Sequence, residues 1–438
     1  MMAVSRGWRV ALFASAAVGL TCCGGGSGSN NSNNAGTPPP SGPNVVPLVV
    51  DSGPNGNSLN QAYVTIKICA PGSTSNCQTI DHVWVDTGSA GIRLIGSVVT
   101  ASLPLFMDPN NSSNAIANCV NFVVAYSWGA MRTADVTIGN KTATNVPIQV
   151  VGDTGGGLVP APASAPSTCV TGTSYNSVAQ IGANGLLGVG LFLQDCGAGC
   201  ASPNPVPAAD PYYSCNGTTA SSCTQVLIPV PQQLQNPVGL FATDNNGVLI
   251  QLPALGGGVS GAATATGSLI FGVNTQSNNM LGNALVFLAD PGTSAGSLPG
   301  SIRTTTPGYG DMSEPLSFID SGSNGFFFND NSLTQCSGSP INGFYCQTPT
   351  AMLNATMMGY NSNTPSFNYG FSISDESKLT GTASNSLGGP FGGNCNNVST
   401  PCTFDWGLSF FYGRSVFTAV EGQTINGNPG PFFAASTP

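Results

Sequence analysis

The sequence predicts a mostly β protein built as two similar lobes, and three observations carry that prediction. Short runs alternate apolar and polar residues and are bounded by Gly, Pro and Asn, which is the pattern of half-buried strands. Long helical periods are nearly absent. Two segments are near copies of each other, Val85-Asp86-Thr87-Gly88-Ser89-Ala90-Gly91-Ile92 and Ile319-Asp320-Ser321-Gly322-Ser323-Asn324-Gly325-Phe326, one in each half of the chain. An acidic tetrapeptide repeated behind an apolar strand is a way to bring two carboxylates to the junction of two similar lobes. With 438 residues the chain exceeds what one core is expected to serve. The lobes are predicted over 45–280 and 281–438.

Taken in order, the chain starts with Arg6 and Arg9 ahead of an apolar stretch from Val10 to Leu20, too short for a bilayer but suited to the h-region of a signal peptide. Leu20-Thr21-Cys22-Cys23-Gly24 then resembles the lipobox of bacterial lipoproteins, whose mature chain begins at an acylated Cys. Two cysteines compete for that role, and Cys23 is favoured because it leaves Leu20 three residues upstream. This predicts a signal peptide over 1–22, lipidation at Cys23 and a membrane tether over 23–44. The stretch from Gly24 to Pro43 has no charge and no apolar period, so it is predicted to be a disordered linker. Without Lys or Arg it is unlike a basic masking prosegment. Gly24, in place of an Asp, points to the outer membrane, facing periplasm or exterior.

Cleavage before Cys23 leaves 14 − 2 = 12 cysteines, an even number suited to disulfides in an oxidising envelope. Proximity suggests Cys69 with Cys77, Cys196 with Cys200, Cys215 with Cys223, Cys336 with Cys346 and Cys395 with Cys402, leaving Cys119 with Cys169; sequence leaves the connectivity open. No pair has zinc-knuckle spacing and His82 is the only histidine, so no metal or other cofactor is expected. Charged residues are only 6% of the chain, and 9 Lys+Arg stand against 18 Asp+Glu, which argues against nucleic acid as a partner.

Beyond the linker, Tyr63 to Ile68 alternates, Pro71 to Asn76 supplies a turn, and Gln78 to Val85 runs into Asp86: a stapled hairpin with a carboxylate at its end. Further short strands are predicted over 121–126, 132–138 and 146–151. Short helices are expected over 231–241 and 331–336, and loops over 101–118, 155–177 and 201–224.

On these residues the chain resembles the pepsin-like aspartic proteases over most of 60–435. Asp86-Thr87-Gly88-Ser89 and Asp320-Ser321-Gly322-Ser323 match the family's two catalytic motifs. Asn184 to Gly190 resembles the apolar-apolar-Gly segment beneath the first catalytic loop, Gly267 to Gly272 the strand near the lobe junction, and Trp406 to Phe411 the corresponding segment of the second lobe. The resemblance implies a bilobal acid-protease fold, two related β-barrel-like lobes with the cleft between them, in which Asp86 and Asp320 activate a water. It also implies a flap, for which Tyr126 or Trp128 is the covering aromatic. Two positions depart from the pattern. Arg93 stands where an aromatic is usual and could bias the dyad's protonation; Asp405 stands where an apolar residue is expected, with Arg414 near enough in sequence to pair with it.

The chemistry follows from the residues themselves. Gly88 and Gly322 let the backbone turn its N–H groups onto a carboxylate, with Thr87 and Ser321 beside them, and the hydroxyls of Ser89 and Ser323 can fix the carboxyl planes. Two carboxylates side by side share a proton and serve as acid and base together. A single His82 and the lack of a G-x-S-x-G segment leave no nucleophilic triad. Asp51-Ser52-Gly53 and Asp153-Thr154-Gly155 mimic the motif, but each leads into a glycine turn and is read as a turn residue. The function expected is a monomeric, lipid-anchored aspartic endopeptidase acting on peptide or protein substrates; the alternative is an inactive lipoprotein of the same fold that binds peptides or an envelope partner.

Overall fold

The computed structural model describes residues 40–122, 125–170, 172–201, 211–256, 261–292, 299–305, 313–338, 341–361, 365–391 and 403–437. The predicted signal peptide, Cys22, Cys23, most of the predicted linker and the expected Cys395–Cys402 pairing lie outside them. The described chain is mostly β, and Val178–Ile181, capped by Ser177, is the α-helix among the described residues. None of the described helices is long and apolar enough to cross a membrane.

The predicted hairpin forms. Ala62–Cys69 pairs antiparallel with Cys77–Asp86, from Cys69 opposite Cys77 to Tyr63 opposite Trp84. A bulge interrupts the ladder where His82 takes a positive φ of 47°, and beyond it Val83, Trp84, Val85 and Asp86 are all buried. This strand thus changes from half-exposed to fully enclosed as it nears the carboxylate, which is why its alternation fades into a continuous apolar run.

Each motif then sits in the same three-strand arrangement. Gly185–Val189 inserts between Cys77–Asp86, to which it is parallel, and Ala90–Ile95, to which it is antiparallel. In the second half Asp405–Trp406 inserts likewise between Ser313–Ile319 and Phe326–Phe327. Gly188 fits because a Cβ there would lie 2.7 Å from the Ala90 carbonyl carbon. Gly407 fits for the same reason, since its Cβ would lie 2.0 Å from the Gly325 carbonyl oxygen. The apolar-Gly pattern therefore reports a strand threaded through a space that only a glycine backbone can enter.

Six antiparallel strands join the halves, in the order Leu285–Leu288, Phe432–Ala435, Ser415–Ala419, Gly247–Gln251, Ala265–Phe271 and Val45–Val50. The last strands of the chain thus return to pair with strands from before residue 280, so sheet membership crosses that position. The second half is cored by aromatic rings: Phe404 stacks on Trp406 with centroids 4.4 Å apart and on Phe328 at 4.8 Å, and the indole N–H donates to Thr304 Oγ1 at 2.9 Å. Each fully buried ring of this kind contributes roughly 2–3 kcal/mol.

Four of the proximity pairings, Cys69–Cys77, Cys196–Cys200, Cys215–Cys223 and Cys336–Cys346, are disulfides, and so is Cys119–Cys169, the pair they leave. Several local expectations need correction. Residues 111–118, expected as loop, belong to the strand Asn111–Asn121, which pairs with Ala125–Ile138; Ala115, Ile116 and Ala117 are buried, but their small size and Ser/Asn neighbours hide the period. The strand expected over 121–126 lies partly outside the described residues: Asn121 ends the first of those strands, and Ala125 and Tyr126 open the second. The loop expected over 201–224 contains Tyr212–Cys215, paired with Cys223–Gln225. Residues 231–241 contain only 3-10 turns, Val230–Gln232 and Pro237–Leu240, because Pro and Gly interrupt the segment. The helix expected over 331–336 is a turn, held where Asp330 Oδ1 accepts the Ser332 N–H at 2.8 Å.

Candidate active site

Asp86 and Asp320 end their strands at the same place, and their loops interlock. Thr87 Oγ1 accepts the Ser321 N–H at 2.9 Å and donates to the Ile319 carbonyl at 3.3 Å. Ser321 Oγ accepts the Thr87 N–H at 3.1 Å and donates to the Val85 carbonyl at 2.8 Å. The two loops are therefore joined by four hydrogen bonds that repeat under a pseudo-twofold rotation. Trp84 adds an indole N–H to the Ser321 carbonyl at 3.2 Å.

The motif glycines carry the carboxyls' proximity. A Cβ on Gly88 would lie 2.6 Å from Asp320 Cγ, and one on Gly322 would lie 2.4 Å from Asp86 Oδ1. Each carboxyl packs directly on the other loop's glycine. Gly88 N–H donates to Asp86 Oδ1 and Gly322 N–H to Asp320 Oδ1, both at 2.7 Å. The predicted serines complete the set: Ser89 Oγ donates to Asp86 Oδ2 at 2.5 Å and Ser323 Oγ to Asp320 Oδ2 at 3.2 Å. Both carboxyls are fully buried and share a hydrogen bond.

Their electrostatics differ. Burial raises Asp86 above the usual carboxylate range, opposed by Ser89, the bond to Asp320, the Gly88 N–H and the charge of Arg93. Asp320 is pushed well above that range, by burial first and then by the like charges of Asp86 and Asp405. The two carboxyls therefore titrate as a pair, and the stronger upward push falls on Asp320.

The departures from the family pattern take definite places. Arg93 is buried, donating from Nη1 to the Ala90 carbonyl at 2.9 Å and pairing through Nη2 with Asp195 Oδ2 at 3.4 Å. Asp195 also accepts from Tyr212 Oη and, at 3.3 Å, from Asn118 Nδ2; burial raises its carboxyl ahead of the lowering effects of Arg93 and Tyr212. Asp405 is fully buried, and neither carboxyl oxygen has a hydrogen-bond partner of good geometry. Its carboxyl is raised well above the usual range by burial, with Ser323 opposing and the charge of Asp86 reinforcing. The expected pairing of Asp405 with Arg414 does not form. Arg414 instead donates to the Phe410 carbonyl at 2.8 Å and lies 4.7 Å from the Phe410 ring centroid, a site that holds a guanidinium without a carboxylate.

The flap aromatics also need correction. Tyr126 and Trp128 are buried in the hairpin's own cluster with Cys119, Cys169, Val159 and Tyr213. Tyr126 Oη donates to the Pro162 carbonyl at 3.3 Å and Trp128 Nε1 to the Pro160 carbonyl at 2.8 Å. Segment 155–170 thus takes up both polar tips, and the rings serve as core. The look-alike motifs are turns, as read: Asp51 Oδ1 accepts the Gly53 N–H at 2.8 Å, and Asp153 accepts the Gly155 N–H while pairing with Arg132 at 2.6 Å. Among the described residues no group of three or more His, Cys, Asp or Glu could hold a metal ion.

One residue escaped the sequence reading. Asn60, buried and at a positive φ of 53°, donates to the carbonyls of Asn324 at 2.5 Å and Ser384 at 2.9 Å, and accepts from the Ser384 N–H and from Tyr412 Oη. It ties the first half to the loop carrying the second motif. An Asn after a Leu carries no signal of such a role.

Fold and site together define a mostly β protein of two similar halves meeting at a pair of aspartates. The chain belongs to the family described as "Protein of unknown function (DUF3443)", whose profile matches residues 40–435. No curated protein matches the sequence. Among solved structures it is similar to the aspartic proteinase from Irpex lacteus, at 17% identity and a TM-score of 0.47, over 90% of this chain and 96% of that one.

Proposed function

We propose that the protein is an aspartic endopeptidase. The observation that carries this reading is the contact of each motif's carboxyl with the other motif's glycine, which brings the two carboxyls close enough to share one proton. In the reaction, ionised Asp86 removes a proton from a water as its oxygen bonds to the peptide carbonyl carbon, while Asp320 gives its proton to the carbonyl oxygen. The diol so formed collapses as the C–N bond breaks. Its proton returns to Asp320, and the proton on Asp86 passes to the leaving nitrogen. The substrate expected is an extended segment lying as a strand between the halves.

The anchoring belongs to the same proposal: a monomer of the bacterial envelope, lipidated at Cys23 and carried on the outer membrane. The lipobox-like Leu20-Thr21-Cys22-Cys23 and the disulfides support it. Incorporation of labelled palmitate into the wild type but not into Cys23→Ala tests this part.

A second reading, a silent member of the fold that binds peptide or an envelope partner, is favoured by the full burial of both carboxyls, which leaves them no exposed face for a substrate to meet. Cleavage of a denatured protein between about pH 3 and 7 separates the two. Activity lost in both Asp86→Asn and Asp320→Asn supports the endopeptidase; activity that survives either sinks it, and an inactive, fully disulfide-bonded wild type favours the binder.

A further inference from the structure

The two halves can be laid over each other residue by residue around the dyad. Asp86 corresponds to Asp320, so Trp84 corresponds to Phe318, and Arg93 to Phe327, since 93 − 86 = 327 − 320. The inserted strand supplies the third member of each rung: Leu186 lies between Trp84 and Arg93, and Asp405 between Phe318 and Phe327. The rungs Trp84–Leu186–Arg93 and Phe318–Asp405–Phe327 are therefore equivalent, and each carries one buried charged residue. The charges are opposite in sign and sit on different strands. The Asp-Thr/Ser-Gly-Ser turns repeat each other in the two halves; at this rung the halves do not.

We propose that Arg93 and Asp405 are positioning residues that assign the shared proton of the dyad to Asp320 and keep Asp86 as the base. Both act in the same sense, because a cation on the Asp86 side favours its ionised form and the Asp405 carboxyl, once ionised, disfavours a second charge on Asp320. The hydroxyls agree: Ser89 sits 2.5 Å from Asp86, whereas Ser323 is 3.2 Å from Asp320 and also acts on Asp405. The charged and titratable groups facing this arrangement are Asp195 and Tyr212, on the far side of Arg93. Burial raises Asp195, so it takes up a proton before an ordinary carboxyl as pH falls, and the charge of Arg93 is then less compensated, which strengthens the effect in acid. Asp405 has no hydrogen-bond partner of good geometry and is not paired to Arg414, so its position is not explained by an ion pair.

The inference rests on the dyad reading of the proposed function and is tested by the pH profile of kcat/KM for the wild type, Asp405→Asn, Asp405→Leu and Arg93→Met. Leu is the first half's own residue at this rung, which gives a second variant if Asn misfolds. In Asp405→Asn and Asp405→Leu the alkaline limb is expected to move to lower pH, with kcat/KM on that limb about tenfold below wild type and the acid limb in place. In Arg93→Met the acid limb is expected to move to higher pH. A purely structural role would lower the whole profile without moving either limb, and folded variants with unmoved limbs overturn the proposal. Titration by 13C NMR of carboxyl-labelled aspartates, assigned with Asp320→Asn, reads the same protons without activity. If the wild type cleaves nothing but the Asp320 carboxyl titrates at lower pH in Asp405→Asn, the endopeptidase reading falls and this one stands; if the wild type cleaves and no limb moves, the reverse holds.

Discussion

Thr87 and Ser321 hold each other's backbone: each hydroxyl accepts the other's N–H and donates to the carbonyl two residues before it, Ile319 for Thr87 and Val85 for Ser321. The carboxyls meet because these loops are locked. Thr87→Val keeps the shape and removes one hydroxyl, leaving the buried Ser321 N–H and the Ile319 carbonyl without it. Stability is expected to fall by about 2–4 kcal/mol, measured as a shift in the denaturant midpoint. A change under 0.5 kcal/mol, roughly the effect of an ordinary surface substitution, would show that the lock is dispensable.

The glycines answer a different demand. In Gly88→Ala the new methyl would lie 2.6 Å from Asp320 Cγ, so the carboxyls must separate. Cleavage should fall about 100-fold or more, with the fold retained by circular dichroism. Gly322→Ala should do the same through Asp86. Activity near wild type in either would mean that the carboxyls need not touch.

Asn60 gives a prediction about the junction. Asn60→Ala strands the buried Ser384 N–H and Tyr412 hydroxyl and puts a side chain without amide compensation at φ 53°. A loss of about 2–4 kcal/mol is expected. Asn60→Asp, which keeps the acceptor, should recover part of it, and equal losses in both would point to backbone strain alone.

Glu376 couples stability to pH. Burial, reinforced by the charge of Asp375, raises its carboxyl from 4.5 to about 7, and its Oε2 is unpartnered. The folded value is above the unfolded one, so the stability linked to this proton is full below pH 4.5 and is lost as pH rises through about 7. Glu376→Gln should therefore gain about 1–2 kcal/mol relative to wild type between pH 4 and pH 8, after allowance for the screening of a partly exposed group. Equal stability differences at the two pH values would refute the coupling.

Much of this was legible beforehand. The hairpin delivering Asp86, the threaded strand at Gly185–Val189 and four of the five disulfides follow from local chemistry: alternation, a glycine where another chain passes, cysteines close in sequence. Asn111–Asn121 was missed because its buried face is built from Ala and Cys among Ser and Asn, which dilutes the apolar period. Tyr126 and Trp128 were misplaced because an aromatic beside a hairpin reads the same whether it faces a cleft or is covered by a distant segment.

The sequence by itself determined that two aspartates would lie in equivalent glycine turns, since the turn chemistry is written within each tetrapeptide. Only the tertiary structure decided what surrounds them: that Arg93 pairs with Asp195, that Asp405 is buried without Arg414, and that Asp320 is the carboxyl pressed to keep its proton. The reason is physical. A turn depends on residues a few positions apart, whereas a buried group's charge state depends on every dipole and charge that folding places against it, and those come from strands hundreds of residues away.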